Sequence, residues 1–229
     1  MRFLSHPLLL VLLAASIPAA PALAQDPLVL GFDGAAASAG LPAPWQLERW
    51  SPVVPLGDYV ARATVVTASG AAAPAGKVLE LECEEAGFIV GSERSIDLSV
   101  HRWASWSWRA DTLPTGASFR ARDTNDQVLQ LLFGFEGGKV LGYIWDSTGT
   151  PGATGSGLSW REDVRVMVLQ AGPGSPGEWR RQRRDLAADF EQLFGEPPGP
   201  LKGVAVQSNC QHTESSGHGY IGAIELAGE

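Results

Sequence analysis

Aromatic rings recur through the middle of the chain, with Trp103, Trp106 and Trp108 close together, followed by Tyr143, Trp145 and Trp179. An exposed ring stacks on the apolar face of a sugar while polar neighbours read its hydroxyls, so such a cluster points toward glycan binding. Trp106 and Trp108 have the parity opposite to Ser105, Ser107 and Arg109. On a strand, the two indoles therefore face a core and the polar set faces away from it. Trp145 and Trp179, near the ends of expected strands, are the candidates for an exposed platform, with Tyr143 beside them. The polar face of 105–109 can form a groove with Glu82 and Gln130 from neighbouring strands. There the planar fork of Arg109 binds hydroxyls or a carboxylate, or pairs with Glu82. The plain alternative is a solvated sheet face.

Other reactive groups are sparser. Glu82 and Asp126 are a conceivable carboxylate pair for a polysaccharide hydrolase or lyase, a mechanism that depends on their separation. His212 and His218 flank Glu214, but two histidines without a third strong ligand read more simply as solvent-facing than as a transition-metal site. Gly155-Ser156-Gly157 does not lie between a convincing strand and helix, so it reads as a loop and not a nucleophile elbow. The basic run from Arg180 to Arg184 alternates as a strand would.

The elements that must position these groups are short strands. Gly (27) and Pro (16) punctuate the sequence, and between them lie alternating or β-branched, aromatic-rich runs. In 78–84, Leu79, Leu81 and Cys83 share one face, with Glu80, Glu82 and Glu84 on the other. Further strands are expected at 59–67, 88–90, 103–110, 128–135, 140–145, 164–170, 179–184, 203–208 and 220–226, too many for one flat sheet, so two packed sheets are expected. One helix is expected near 185–194, with Leu186, Phe190, Leu193 and Phe194 at helical spacing, Asp185 as its cap and Gly195 as its stop. Ala/Gly-rich 34–40 and 68–76 read as loops.

Residues 1–24 carry Arg2, an apolar run over 8–15 and a terminal Ala22-Leu23-Ala24, the pattern of a secretory signal peptide cut before Gln25. The run is shorter than the roughly 20 residues that span a bilayer, so no membrane span is expected. The rest, 25–229, is expected to form a single sandwich domain, periplasmic or secreted. The net charge of −8 argues against nucleic acid or an anionic membrane as partner. Cys83 and Cys210, the only cysteines, are either a disulfide suited to an oxidising compartment or two separate thiols.

Several segments together resemble the bacterial family named domain of unknown function 3047. They are Trp106-Ser107-Trp108-Arg109, Asn125-Asp126, Leu141-Gly142-Tyr143-Ile144-Trp145, Val164-Arg165-Val166-Met167-Val168, Gly177-Glu178-Trp179, Arg184-Asp185, Asp189-Phe190 through Pro197-Pro198, Gly203-Val204-Ala205-Val206 and Thr213. The resemblance implies an exported protein with a fold similar to jelly-roll carbohydrate-binding modules, and no assigned activity. This chain departs from the family pattern at Ser105, Ser107 and Gln130, where basic residues are usual. It departs again at 209–213, where an acidic stretch is usual, and at Ala223, where Asp is. The implied fold also leaves a structural calcium open, with Asp33 as a ligand, although Gly222 and Ala223 supply no carboxylate. No other cofactor is expected.

The expectation is therefore an all-β, jelly-roll-like sandwich with one short helix, and an exported, non-catalytic module for a glycan or other polyhydroxylated envelope ligand. The alternatives are the carboxylate-pair hydrolase or lyase and a structural or interaction protein of the envelope. Nothing in the residues identifies a protein partner.

Overall fold

The computed structural model describes residues 26–50, 60–158, 161–173 and 177–228. The expected signal peptide lies outside the described residues. The strands are β1 (Leu28–Leu30), β2 (Ala36–Ser38), β3 (Leu41–Pro42), β4 (Gln46–Trp50), β5 (Val60–Thr67), β6 (Lys77–Glu84), β7 (Gly87–Ile96), β8 (Trp103–Thr112), β9 (Leu129–Phe135), β10 (Val140–Asp146), β11 (Thr154–Leu158), β12 (Arg161–Ala171), β13 (Arg180–Asp185), β14 (Leu201–Asn209), β15 (Ser216–Ile221) and β16 (Ile224–Ala227). The helix α1 (Leu186–Phe194) follows β13 directly.

Two seven-stranded sheets stack as the expected jelly-roll-like sandwich, with β2 and β3 as a separate ribbon. The first sheet has the order β1-β16-β8-β15-β6-β5, with β13 on the far side of β8. The second runs β11-β12-β10-β9-β14-β7-β4 and is antiparallel except for the β10–β12 pair. The expected strand at 220–226 is interrupted. β15 pairs with β8 as far as Ile221↔Trp108, the Gly222 N–H then donates to the Ser107 carbonyl at 2.8 Å, and β16 resumes the pairing at Glu225↔Ser105. A Cβ at Gly222 would sit 3.1 Å from Pro74 Cγ, so a larger residue would crowd this junction.

Strand alternation puts one face of each sheet into the core. Leu79, Leu81 and Cys83 of β6 are buried, as the alternation predicts, and so are Trp106 and Trp108 of β8. Across the interface, Tyr143 stacks 5.3 Å from Trp106, and Trp145 lies 6.0 Å from Trp108, centroid to centroid. Tyr143 and Trp145 are only 0% and 2% exposed, which corrects their expected place on a surface platform. The reason is parity and length. Leu141, Tyr143 and Trp145 share the inward face of β10, the strand runs on to Asp146, and the Trp145 Nε1–H is satisfied by the Gly172 carbonyl at 3.0 Å.

The helix closes one end of the core as its residue spacing predicts. The Asp185 side chain accepts from the Ala188 N–H at 3.1 Å, and Gly195 stops the helix at φ 75°. Phe190 packs 4.5 Å from Phe135 and 4.4 Å from Phe194. Buried Asp189 accepts from the Tyr143 hydroxyl at 2.6 Å and from Arg184 Nε at 2.8 Å, which fastens helix, β10 and β13 together.

Two segments expected as loops contain strands. Residues 36–38 pair with β3, and Gly155-Ser156-Gly157 lies within the edge strand β11. Glycine weakens the propensity signal there, yet a Cβ at Gly157 would meet Val166 and Val164 side chains at 2.8 and 2.9 Å. The short β4 was not signalled by any alternation.

Cys83 and Cys210 form a disulfide, with Cα atoms 5.9 Å apart. It ties β6 of the first sheet to the end of β14 in the second across 127 positions. Such a loop closure contributes up to about 4–5 kcal/mol by restricting the unfolded chain. Denatured, unreduced protein should therefore take up no thiol-alkylating label by intact mass, and the paired change Cys83→Ala, Cys210→Ala should lower stability by about 2–5 kcal/mol. Full labelling without reductant would contradict the bond.

Candidate functional site

The outer face of the first sheet carries a row of polar side chains that register alone brings together. Inward packing of Leu79 and Leu81 turns Glu80 outward, and Trp108 and Ile221 do the same for Arg109 and Tyr220. Tyr220 is the register partner of Arg109 on one side and of Glu80 on the other, so three adjacent strands present Arg109, Tyr220 and Glu80 side by side. Together with Thr67, Ser69 and Trp179, they line a cleft of about 200 Å³.

Arg109 is held on every side. Its guanidinium carbon lies 4.1 Å from the Tyr220 ring centroid and 5.4 Å from that of Trp179. Nη1 donates to the Ser69 carbonyl at 3.0 Å, and Nη2 pairs with Asp111 at 2.9 Å. The Trp179 indole N–H reaches the same Ser69 carbonyl at 2.9 Å. Gly70 makes this approach feasible: at φ 102°, a Cβ there would meet the Gly177 carbonyl at 3.1 Å and Arg109 Nη1 at 3.3 Å. Arg109 Nε is buried without an acceptor among the described residues.

At the other end of the row, Glu80 accepts from the Tyr220 hydroxyl at 2.8 Å and contacts His218 Nε2 at 3.0 Å. Burial pushes the Glu80 carboxyl up, but the hydrogen bonds from Tyr220 and His218 and the charges of His218 and Arg62 outweigh it, leaving the group below the ordinary glutamate value. Burial, with the hydrogen bond to Glu80 and its charge, pushes Tyr220 up to about 12. The cleft thus offers a fixed cation, a fixed carboxylate and two aromatic walls.

The other expected residues fall elsewhere. Glu82 lies on the same face but pairs with Arg62 at 2.8 Å rather than with Arg109. Gln130 belongs to the second sheet, where it is 7% exposed and hydrogen-bonds Asn209, so the expected groove of Arg109, Glu82 and Gln130 does not form. Asp126 is fully buried. Its carboxylate contacts Asn209 Nδ2 at 2.9 Å, the Thr213 N–H at 2.7 Å, the Thr213 hydroxyl at 2.8 Å and His212 Nδ1 at 3.1 Å. Saturated in this way, Asp126 pins the loop after β14 and is not free to act with Glu82 on a glycosidic bond. His212 and His218, tied to Asp126 and Glu80, do not converge. Asp33 accepts from the Lys77 N–H at 2.9 Å, and no group of three or more His, Cys, Asp or Glu side chains suited to a metal occurs among the described residues.

Only Arg109 and Trp179 of the expected binding residues meet in the cleft, and Trp179, 6% exposed with its indole N–H on the Ser69 carbonyl, is a buried wall of it and not the exposed platform expected. Glu80, Tyr220 and Ser69 were missed: alternation marks Glu80 as outward, but which strands lie beside β8 is a tertiary fact. A second, shallow concavity of about 280 Å³ lies over the second sheet, with Gly91, Gly134 and Gly203 among its lining.

The tyrosines report this arrangement. Tyr143 is also held well above the ordinary value, by burial first and then by the charge and hydrogen bond of Asp189. Both folded values exceed the unfolded one, so the unfolded chain loses these protons first, and stability falls as pH rises from about 10 toward 12. At about pH 11, ultraviolet absorbance should show at most one of the three tyrosines ionised in folded protein and all three after denaturation. Two or more ionising near the ordinary value in the folded state would contradict the Glu80 and Asp189 contacts.

No curated protein matches the chain. Among solved structures, it is similar to the K1 cleaved adhesin domain of Lys-gingipain from Porphyromonas gingivalis W83, at 15% identity and TM-score 0.44, covering 88% of this chain and 98% of that one. It is also similar to a family 11 carbohydrate-binding module from Clostridium thermocellum, at 10% identity and TM-score 0.40, covering 81% and 89%. An endo-1,4-β-xylanase of Trichoderma reesei matches at 11% identity and TM-score 0.35, covering 72% and 97%. The family model described as "Protein of unknown function (DUF3047)" matches residues 64–225, most of the chain, and the chain belongs to that family.

Proposed function

We propose that this chain is an exported, non-catalytic module that binds a glycan or other polyhydroxylated ligand of the cell envelope in the Arg109 cleft. The observation that carries the reading is the row Arg109, Tyr220 and Glu80 walled by Trp179: a rigid donor and a rigid acceptor stand on one face, matched to the paired donors and acceptors of vicinal hydroxyls. The charge balance favours a neutral ligand. Arg109 is met by two carboxylates, Asp111 at 2.9 Å and Glu80 in the same cleft, so an anionic ligand would meet repulsion. Fixed by its rings and backbone acceptor, Arg109 loses little freedom on binding. The carboxylate-pair reading has no supporting geometry, because Asp126 is buried and Glu82 is paired with Arg62.

Calorimetric titration with a panel of neutral soluble oligosaccharides tests the proposal. One of them should bind and be recovered uncleaved, and Arg109→Gln should weaken binding by about 10- to 100-fold, the loss of a charge-assisted hydrogen bond. Tyr220→Phe removes one oxygen and leaves Glu80 held by His218 alone, and serves where Arg109→Gln disturbs folding. Equal affinity in both variants, each with native near-ultraviolet circular dichroism, would refute the cleft as the site, and cleaved sugar would refute the non-catalytic reading. Export is tested separately: the protein recovered outside the cytoplasm should have an intact mass beginning at Gln25, and an uncut chain ending its fractionation in the cytoplasm would contradict it.

A further inference from the structure

We propose a second binding site for a neutral polyhydroxylated ligand on the outward face of the first sheet, formed by Arg183, Ser105 and Glu225 beside Trp103. It takes its ligand class from the glycan reading of the Arg109 cleft, but its position rests on separate residues.

The same polar row occurs twice on this face. Ser105 of β8 is the register partner of Arg183 on β13 and of Glu225 on β16, so three adjacent strands present a guanidinium, a hydroxyl and a carboxylate side by side, as Arg109, Tyr220 and Glu80 do. Parity turns the set outward: Ala104 and Trp106, on either side of Ser105, are buried, and so are Ile224 and Leu226, on either side of Glu225. Trp103 is the diagonal neighbour of Arg183 across the strand pair, and the Arg183 guanidinium carbon lies 4.0 Å from an indole ring centroid, much as that of Arg109 lies 4.1 Å from Tyr220. An exposed arginine is thereby held in one place and loses less freedom on binding. Asp185, the register partner of Trp103, is engaged by Arg102 Nε at 2.7 Å and stays out of the row.

Short Ser105 between two long side chains leaves a trough about 10 Å wide, two strand spacings. Beyond Glu225 the row ends on its register partner Val29, which is 57% exposed and offers an apolar contact for the C–H face of a sugar. Arg183 and Glu225 give the trough one charge of each sign, so a neutral ligand with neighbouring donors and acceptors fits it best. Segment 68–76 keeps the two rows apart: its Ser69 carbonyl holds Arg109 and Trp179, and its Pro74 packs at Gly222, which is bonded to the Ser107 carbonyl between them. Ser105 and Arg109 stand four residues apart on β8, about 13 Å, so a chain of several sugar units reaches both sites and binds more tightly than to either alone. With one aromatic wall and an exposed arginine, the second site is the weaker of the two.

The test is an NMR titration of the purified protein with maltotetraose, cellotetraose and xylotetraose, following the Trp103 indole Nε1–H and the amides of Ser105, Arg183 and Glu225. At least one of the three should move these signals saturably, and should still do so in Arg109→Gln, where the first site is weakened. Arg183→Gln should weaken the binding read at Trp103 about tenfold and leave the shifts around Arg109 and Tyr220 unchanged. Glu225→Gln, on a different strand, should do the same and serves where Arg183→Gln disturbs β13. No saturable shift at these four residues with any of the sugars, or undiminished binding in both variants, would overturn the proposal. The two readings fail separately: signals that move around Arg109 and not around Trp103 leave the cleft standing and remove this site, and the reverse removes the cleft and keeps this one.

Discussion

The packing of Trp106 and Trp108 against Tyr143 and Trp145 decides the orientation of β8, and with it most of the surface. A strand has only two faces, so committing both indoles to the core turns Ser105, Ser107 and Arg109 outward together. A slip of one residue would bury Arg109 without a partner and expose two indoles, an exchange that costs far more than the stability of a typical domain allows. The disulfide between Cys83 and Cys210 and the Asp189 network act on the same constraint from the margins, because each ties one sheet or the helix to the opposite side of the sandwich.

Given that orientation, the cleft follows from registry between β8, β15 and β6. Arg109, Tyr220 and Glu80 are far apart in sequence but neighbours along one row of the sheet. Their contacts are mutually dependent. Glu80 holds the Tyr220 proton, Tyr220 presents its ring to the guanidinium, and Ser69 and Asp111 stop the guanidinium from folding away. The arrangement is a fixed pattern of donors and acceptors, which suits recognition more than proton transfer.

Much of the scaffold was legible in the sequence because it is written in local patterns. The alternation of 78–84, the parity of Trp106 and Trp108, and the Asp185 and Gly195 caps each depend on residues within a few positions of one another. The site was legible only in part. Arg109 and Trp179 stand out as residue types, whereas Tyr220 and Glu80 become partners through strand order, which no local pattern encodes. Gln130 and Arg109 looked like neighbours because both sit on strands with polar faces, yet their strands belong to different sheets. Tyr143 and Trp145 read as a platform from their place near the expected end of β10, whereas the strand runs on to Asp146 and the Gly172 carbonyl takes the Trp145 indole N–H. Glycine-rich β11 was missed because Gly157 answers to packing against Val164 and Val166, and Gly155 to packing against Phe119, rather than to strand propensity.

The side-chain Nε–H resonance of Arg109 offers the most direct measurement on the central claim. Buried and without an acceptor among the described residues, that group should give a sharp, slowly exchanging NMR signal in free protein. Titration with an oligosaccharide that the protein binds should move the Arg109 signal saturably, with the same dissociation constant that calorimetry gives. A sugar that binds while the Arg109 signal stays fixed would place recognition elsewhere on the sandwich and contradict the account.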